Sequence, residues 1–260
     1  IGNIHFLSLD SYGKDSTMLR MYDTLSAQVQ WVKKDLEQYA GKGWIVAFWH
    51  HPPYTMGSHN SDKENELIKI RENFIRILER YGVDLVLCGH SHGYERTKLI
   101  HGHYGMESSF DATIHQLSNA DGMYNEVTGS CPYIKKSGNE PGTVYVVSGS
   151  AGKTDSRVQP AFPHNAMQYS NVTEGGGLML EVEGNRLDLR WICADGEVRD
   201  QFTMIKEMPE KTVVYVKKGE HVTLSAAFPA EIYYWNGKKG ERQLRVKPVK
   251  RKTLYRVLDR

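Results

Sequence analysis

Short hydrophobic runs alternate with amphipathic segments along the first part of the chain. Residues 44–49 and 83–88 contain almost only apolar side chains, which is typical of strands buried on both faces of a sheet. Residues 25–36 carry apolar side chains at helical spacing, with charged side chains opposite. A second helical stripe covers residues 67–78 and is followed by Gly82. This strand–helix–strand order predicts a parallel β-α-β unit and therefore an α/β fold.

From about residue 208 the pattern changes to short strands separated by turn residues. The predicted strands cover residues 212–216, 221–224, 232–235, 244–246 and 254–257. The sequence Tyr-Tyr-Trp-Asn-Gly at residues 233–237 resembles the central strand of small Ig-like domains. We therefore expect two parts, an α/β domain over residues 1–207 and a small all-β, Ig-like module over residues 208–260.

Histidines follow both hydrophobic runs, directly after residues 44–49 and one glycine after residues 83–88. His90 and His92 are two residues apart, so on an extended backbone both imidazoles point towards the same place. His50 and His51 are adjacent and should face opposite sides, which leaves open which of the two is a ligand. Because neighbouring parallel strands end at the same edge of a sheet, we expect the two groups to converge. Grouped neutral imidazoles predict a metal centre for a borderline ion such as zinc, iron or manganese.

Composition narrows the function classes. The chain has 260 residues, 25% of them charged, and a formal net charge of only +2, so nothing indicates a nucleic-acid or other strongly anionic partner. We see no apolar run long enough to span a membrane. Three scattered cysteines, Cys88, Cys131 and Cys193, are too few for a disulfide framework or a zinc cluster.

The histidine motifs resemble those of the calcineurin-like metallophosphoesterases, and in particular of their purple acid phosphatase branch. The resemblance rests on His-His-Pro-Pro-Tyr at residues 50–54, on His59, and on Gly-His-Ser-His-Gly-Tyr-Glu-Arg at residues 89–96. The strands that the family places around these motifs are matched by residues 2–13, 142–152 and 196–206. The resemblance thus covers about residues 1–206. It implies that they form part of a layered α/β/β/α sandwich.

By this resemblance the chain takes part in a binuclear metal centre that hydrolyses phosphate esters, as an acid-phosphatase-like phosphomonoesterase. The two metal ions would be iron, zinc or manganese. His50 and His90 would bind the second, divalent ion, and His92 would reach the first. The substrate would be a phosphorylated small molecule or a phosphoprotein.

The resemblance also implies roles for residues around the metals. His59 would contact the phosphate or protonate the leaving oxygen, which an imidazole can do near neutral pH. Asn60 stands where the family sometimes has a second histidine, and His51 would lie behind the ligands. We expect Tyr94 next to the metal ligands or in the substrate pocket. Residues 102–142, rich in Gly, Ser, Asn and Asp, are predicted to form a loop along this pocket.

Some motifs of the family do not occur in the 260 residues, namely Asp-x-Gly or Asp-x-His, Gly-Asp-x-x-Tyr/Asp, and Gly-Asn-His-Asp/Glu. We therefore expect the chain to be the carboxyl-terminal portion of a longer protein. The remaining ligands and a signal peptide for a secreted, periplasmic or cell-surface location would lie upstream. The alternatives are a fragment that only binds, a structural metal site without turnover, or a phosphodiesterase of the same superfamily. A structural metal site normally has four protein ligands, and only three strong ligand candidates occur here. This favours a site that keeps a position open for water or substrate.

Overall fold

A computed structural model describes residues 2–124, 131–135, 141–206, 214–226, 233–250, 253–255 and 257–259. The α-helices are α1 (Ala27–Tyr39), α2 (Asn65–Lys69), α3 (Ile75–Arg80) and α4 (Ala112–His115). The strands of the first 206 residues are β1 (Ile4–Ser8), β2 (Trp44–Phe48), β3 (Leu85–Cys88), β4 (Tyr94–Thr97), β5 (Tyr133–Lys135), β6 (Val144–Ser148), β7 (Met167–Asn171), β8 (Gly176–Glu183), β9 (Arg186–Cys193) and β10 (Val198–Lys206). Five short strands follow: β11 (Val222–Ser225), β12 (Tyr233–Trp235), β13 (Lys238–Gly240), β14 (Gln243–Val246) and β15 (Val257–Asp259).

The first sheet has six strands in the order β1-β2-β3-β6-β4-β7. Strands β1, β2, β3 and β6 run parallel to one another, and β4 pairs antiparallel with both β6 and β7. Strands β2 and β3 are adjacent, with Phe48 opposite Leu87 in the register. The β-α-β unit predicted from the hydrophobic runs is confirmed, and its two strands end at the same edge of the sheet.

Helix α1 forms where the helical spacing predicts it. The side chain of Ser26 accepts a hydrogen bond from the backbone N–H of Val29 and so caps the first turn. The apolar face of the helix, Val29, Val32 and Leu36, is buried against the first sheet. The second stripe is not one regular helix, because a π-helical segment, Ile70–Phe74, separates α2 from α3.

A second sheet, in the order β5-β10-β9-β8, packs on the face of the first sheet that lies away from the helices. The residues that form this interface include Trp44, Val46, Val146, Leu189, Trp191 and Phe202. Every second side chain of β8 is exposed, on the face of the second sheet that points away from the first sheet. Met179, for example, is 41% exposed. The described residues therefore supply three of the four expected layers, helices, sheet and sheet, in a mixed α/β fold.

Buried charges also join the two sheets. Arg96 of β4 donates from Nε and Nη2 to the two carboxylate oxygens of Asp200 on β10, at 2.6 and 2.9 Å. Both side chains are fully buried. Asp84, just before β3, accepts from Lys135 of β5 and from Lys206 of β10. Since an unpaired buried charge is costly, these pairs fix one way of placing the second sheet on the first.

The strands after residue 206 form two small sheets, β11-β14 and β13-β12-β15. They have their own apolar cluster around Ala226, Tyr233 and Trp235. The strand predicted over 212–216 lies partly outside the described residues. The domain boundary near residue 208 and the Ig-like character of this part stay predictions. No helix of the described residues is long and apolar enough to cross a membrane.

Candidate metal centre

Imidazoles from two strand ends meet at the carboxyl edge of the first sheet. His50 and His51 follow β2, and His90 follows β3. The Nε2 atom of His50 lies 3.0 Å from the Nδ1 atom of His90. The ring centroids of His51 and His90 are 4.8 Å apart. Each of the three residues offers a ring nitrogen within 4.8 Å of the others, so together they could hold a metal ion.

The expectation that His50 and His51 face opposite sides of a strand is wrong. Strand β2 ends at Phe48, so the side-chain alternation of a strand does not continue to the histidines. His50 is exposed and His51 is buried, yet both rings approach His90. The Nδ1 atom of His51 is 2.9 Å from the hydroxyl of Ser11, which holds this ring from behind.

The environment favours the neutral form of these imidazoles. Burial, and then the proximity of the other histidines, lowers the pKa of His50. The same two causes lower the pKa of His51 to about 4. Burial also lowers the pKa of His90, although the hydrogen bond with Glu64 opposes this effect. Neutral imidazole is the form that binds metal ions. Metal binding to these three rings would therefore require the release of few protons.

The backbone of His90 is strained. Its φ angle is +66°, in the left-handed region that non-glycine residues adopt rarely. Strain of this kind persists where the surrounding structure imposes it, and such sites are often functional. Here the left-handed turn brings the ring of His90 towards His50 immediately after β3 ends.

Glu64 lies on the other side of His90, and the sequence reasoning did not single it out. Its Oε2 atom is 3.0 Å from Nε2 of His90, and both carboxylate oxygens are 3.0 Å from Nδ1 of His59. The backbone N–H of Asn60 donates to Oε1 at 2.9 Å. Burial alone would raise the pKa of Glu64, but the hydrogen bonds from His90 and Asn60 bring it below its usual value. His59, Glu64 and His90 form a second group that could hold an ion.

The structure places His92 apart from both groups. Its ring lies 6.4 Å from the ring of His59, and its backbone N–H donates to the hydroxyl of Ser58 at 2.9 Å. Asn60 is 9% exposed and its side-chain amide approaches Gln159 at 3.4 Å. The roles expected for His59, Asn60 and His92 stay predictions.

The expectation for Tyr94 requires a correction. The side chain is fully buried between the sheets, its ring stacks on Trp191, and its hydroxyl donates to Asp200 at 2.7 Å. It therefore belongs to the interface between the two sheets and not to the group of histidines at the strand ends. The next residue, Glu95, points the other way. Its carboxylate accepts from the backbone N–H groups of Met56 and Gly57 at 3.1 and 3.3 Å, which ties the segment before His59 to β4.

A cavity of about 740 Å³ lies elsewhere on the surface and contains none of the grouped histidines described above. It is lined by Thr24, Glu72, Asn73, Arg76, Gly102, His103, Tyr104, Gly105, Ser109 and His115. The segment 102–142 contributes to this cavity. Its predicted position along the substrate pocket stays a prediction.

The donors present suit a borderline divalent ion. Two ring nitrogens already face each other across 3.0 Å, a third ring is adjacent, and a carboxylate stands behind one of them. Imidazole nitrogen is a good ligand for zinc and iron, and carboxylate–histidine pairs orient such ligands.

Comparison with known proteins accords with this geometry. The sequence model described as calcineurin-like phosphoesterase matches residues 3–94. Purple acid phosphatase 15 of Arabidopsis thaliana is 35% identical over 104 residues, which are 39% of this chain and 18% of that protein. Residues 3–94 thus match the calcineurin-like phosphoesterase family, and the chain is similar in sequence to purple acid phosphatases.

Other similar proteins cover more of the chain. Fe(3+)-Zn(2+) purple acid phosphatase 12 of Arabidopsis thaliana is 24% identical over 168 residues, which are 62% of this chain and 30% of that protein. The structure of the purple acid phosphatase PPD1 from yellow lupin (Lupinus luteus) seeds superposes with a TM-score of 0.57 at 21% identity. That superposition covers 79% of this chain and 32% of the lupin protein, and it confirms the fold class. The chain thus spans less than half the length of these relatives.

Proposed function

We propose that this chain forms one side of a binuclear metal centre that hydrolyses phosphomonoesters. The single observation that carries the proposal is the approach of His50 Nε2 and His90 Nδ1 to 3.0 Å at the carboxyl edge of the parallel strands. Open α/β sheets place their active sites at this edge. The purple acid phosphatase relatives are hydrolases of the metallophosphoesterase superfamily, which indicates the reaction type.

Two ions are proposed, of iron, zinc or manganese, and one relative carries Fe(3+)-Zn(2+) in its name. His50 and His90 would hold one ion, with His51 close enough to join them. As the resemblance implies, His92 would serve the other ion. The aspartate and asparagine motifs that the resemblance calls for do not occur among the 260 residues, so other residues would complete the centre. When bound, such a pair of ions supplies Lewis-acid activation of the phosphate and of the attacking water.

His59 is proposed as the residue that moves a proton to the leaving oxygen. Its Nδ1 atom faces the carboxylate of Glu64, which holds the proton on Nδ1. In the imidazolium form Nε2 carries a second proton, and transfer of this proton to the leaving oxygen leaves neutral His59 with its proton on Nδ1. The ring centroids of His59 and His90 are 3.7 Å apart, which supports a role for His59 next to a proposed metal ligand. Asn60 follows it and would help to shape the phosphate site.

The substrate is proposed to be a phosphorylated small molecule or a phosphoprotein. The protein is proposed to act without a nucleic-acid partner and outside the cytoplasm, in a secreted, periplasmic or cell-surface location. The purple acid phosphatase type of the relatives supports the substrate class.

The test uses the whole protein that contains these 260 residues, purified with its metals. We expect about two metal ions per chain by elemental analysis, and hydrolysis of p-nitrophenyl phosphate that His90→Ala abolishes. A protein with two ions that cleaves bis(p-nitrophenyl) phosphate better than the monoester would be a phosphodiesterase. If the protein contains metal but hydrolyses neither ester, the metal site has only a binding or structural role, and the proposal is wrong.

A further inference from the structure

Glu64 occupies an unusual position for a glutamate. It is the residue just before α2, where Ser, Thr, Asp or Asn normally cap a helix, and its side chain makes no capping hydrogen bond. The carboxylate turns away from its own helix and accepts from His59, from His90 and from the backbone of Asn60. Three donors converge on one carboxylate, and two of them are imidazoles of the proposed active site.

The contact with Glu64 determines which nitrogen of His90 carries the proton. A carboxylate can only accept, so the proton must be on Nε2 of His90, 3.0 Å from Oε2 of Glu64. The other nitrogen, Nδ1, then has a free lone pair, and this is the atom that faces His50. A carboxylate behind a histidine in this way fixes its tautomer and ring orientation for metal binding.

The same carboxylate acts on His59. Both of its oxygens are 3.0 Å from Nδ1 of this residue, so the proton on Nδ1 is held and Nε2 makes no contact with Glu64. The rings of His59 and His90 are in contact, with their centroids 3.7 Å apart and their planes tilted by 32°, so rotation of either ring would disturb the other. One side chain thus sets the orientation of a metal ligand and of the proton donor.

We infer that Glu64 is a positioning residue that orients both His90 and His59, an inference that rests on the proposed function. Two other roles are possible for a carboxylate here. As a purely structural anchor, Glu64 would hold only the backbone of Asn60. As a ligand, it would bind an ion together with His59 and His90, since the three could hold one. The positioning role agrees best with the structure, because His90 turns Nδ1, and not the nitrogen next to Glu64, towards His50.

The test compares Glu64→Ala and Glu64→Gln with Glu66→Ala in the 260-residue chain. Glu66 is two residues away, also carries a negative charge, and is partly buried. Histidine tautomers are read from long-range ¹H–¹⁵N correlation spectra of the metal-free protein labelled at histidine. Affinity for Co²⁺ is read from its visible absorption, and urea midpoints show that each variant is folded.

We expect wild-type His90 to be protonated at Nε2, and Glu64→Ala to give a mixture of tautomers. Co²⁺ affinity should fall about 10- to 100-fold in Glu64→Ala, and less in Glu64→Gln, whose amide oxygen still accepts one hydrogen bond. Glu66→Ala should match the wild type. The inference is wrong if Glu64→Ala leaves both the tautomer and the affinity unchanged. It is also wrong if the wild type binds two Co²⁺ ions and Glu64→Ala binds one, because Glu64 would then be a ligand. None of these readouts needs phosphatase activity, so the proposed function can fail independently.

Discussion

The Nε2 atom of His50 lies 3.0 Å from the Nδ1 atom of His90, although 40 positions separate the two residues in the chain. Parallel pairing of β2 and β3 brings about this approach, because it places the residues after both strands at one edge of the sheet. The left-handed backbone of His90 completes it. The position of His50 is set by the end of β2, and the ring of His90 is held by its hydrogen bond with Glu64.

Replacing either residue of this pair should weaken metal binding. We expect His50→Ala and His90→Ala to lower the affinity of the 260-residue chain for Co²⁺ more than about 10-fold, because each variant removes a ring nitrogen that the ion would need. Calorimetric titration measures the change. His221→Ala, which removes an exposed histidine of the C-terminal part, should bind as the wild type does. Equal affinity in all four proteins would place the metal elsewhere.

The strain at His90 should be visible in stability. An alanine at position 90 keeps a side chain in the left-handed region, whereas glycine adopts that conformation freely. We expect His90→Gly to be more stable than His90→Ala by about 1 kcal/mol. Urea unfolding measures the difference. His92 does not have a positive φ, so at this position the alanine variant should be more stable than the glycine variant. The same order at both positions would contradict the assignment of strain to His90.

The buried pair of Arg96 and Asp200 should contribute strongly to stability. Asp200→Ala leaves a fully buried guanidinium without its carboxylate, and we expect a loss of about 3–5 kcal/mol in the free energy of unfolding. Urea unfolding compares this variant with Asp195→Ala, which breaks a more exposed pair with Arg199 and should shift the midpoint little. Similar midpoints for the two variants would show that the sheets are held together in another way.

Buried His164 should make the protein less stable in acid. Burial is the main cause that lowers its pKa to about 3, whereas a histidine in the unfolded chain titrates near pH 6.5. Between these pH values the unfolded state binds a proton that the folded state does not. Stability from this group is therefore complete above pH 6.5 and falls as the pH is lowered towards 3.

Replacing His164 removes this effect. Between pH 6.5 and 5 the loss of stability should be smaller in His164→Gln than in the wild type, by at most about 2 kcal/mol. Urea midpoints at several pH values measure it, and exposed His221→Gln serves as the control. An unchanged pH dependence in His164→Gln would mean that His164 is protonated in the folded protein.

The proposed role of His59 predicts a dependence on the leaving group. In the whole, metal-loaded protein, His59→Ala should keep both metals and lower kcat on an alkyl phosphate by about 10²- to 10⁴-fold. The loss on an aryl phosphate should be smaller, because a phenolate leaves without needing a proton. Rates on the two esters and metal content by elemental analysis are compared. Equal losses on both esters would mean that His59 holds the phosphate, and loss of metal would make it a ligand.

The sequence by itself determined where the first sheet lies and which of its edges carries the histidines. The runs over residues 44–49 and 83–88 are buried as strands, and the helical stripe that begins at residue 25 forms α1. These features follow from side-chain periodicity, which depends only on neighbours along the chain. The convergence of His50 and His90 then follows from parallel pairing.

Only the tertiary structure decided which other side chains reach this edge. Glu64 is 26 positions from His90, and no spacing rule predicts their contact, because it depends on how the segment before α2 lies over the sheet. Tyr94 sits in the histidine motif, yet its side chain enters the interface with the second sheet, because strand β4 packs there. His51 reaches the site because β2 ends two residues before His50. Such contacts join distant segments, and sheet register and packing, not local pattern, determine them.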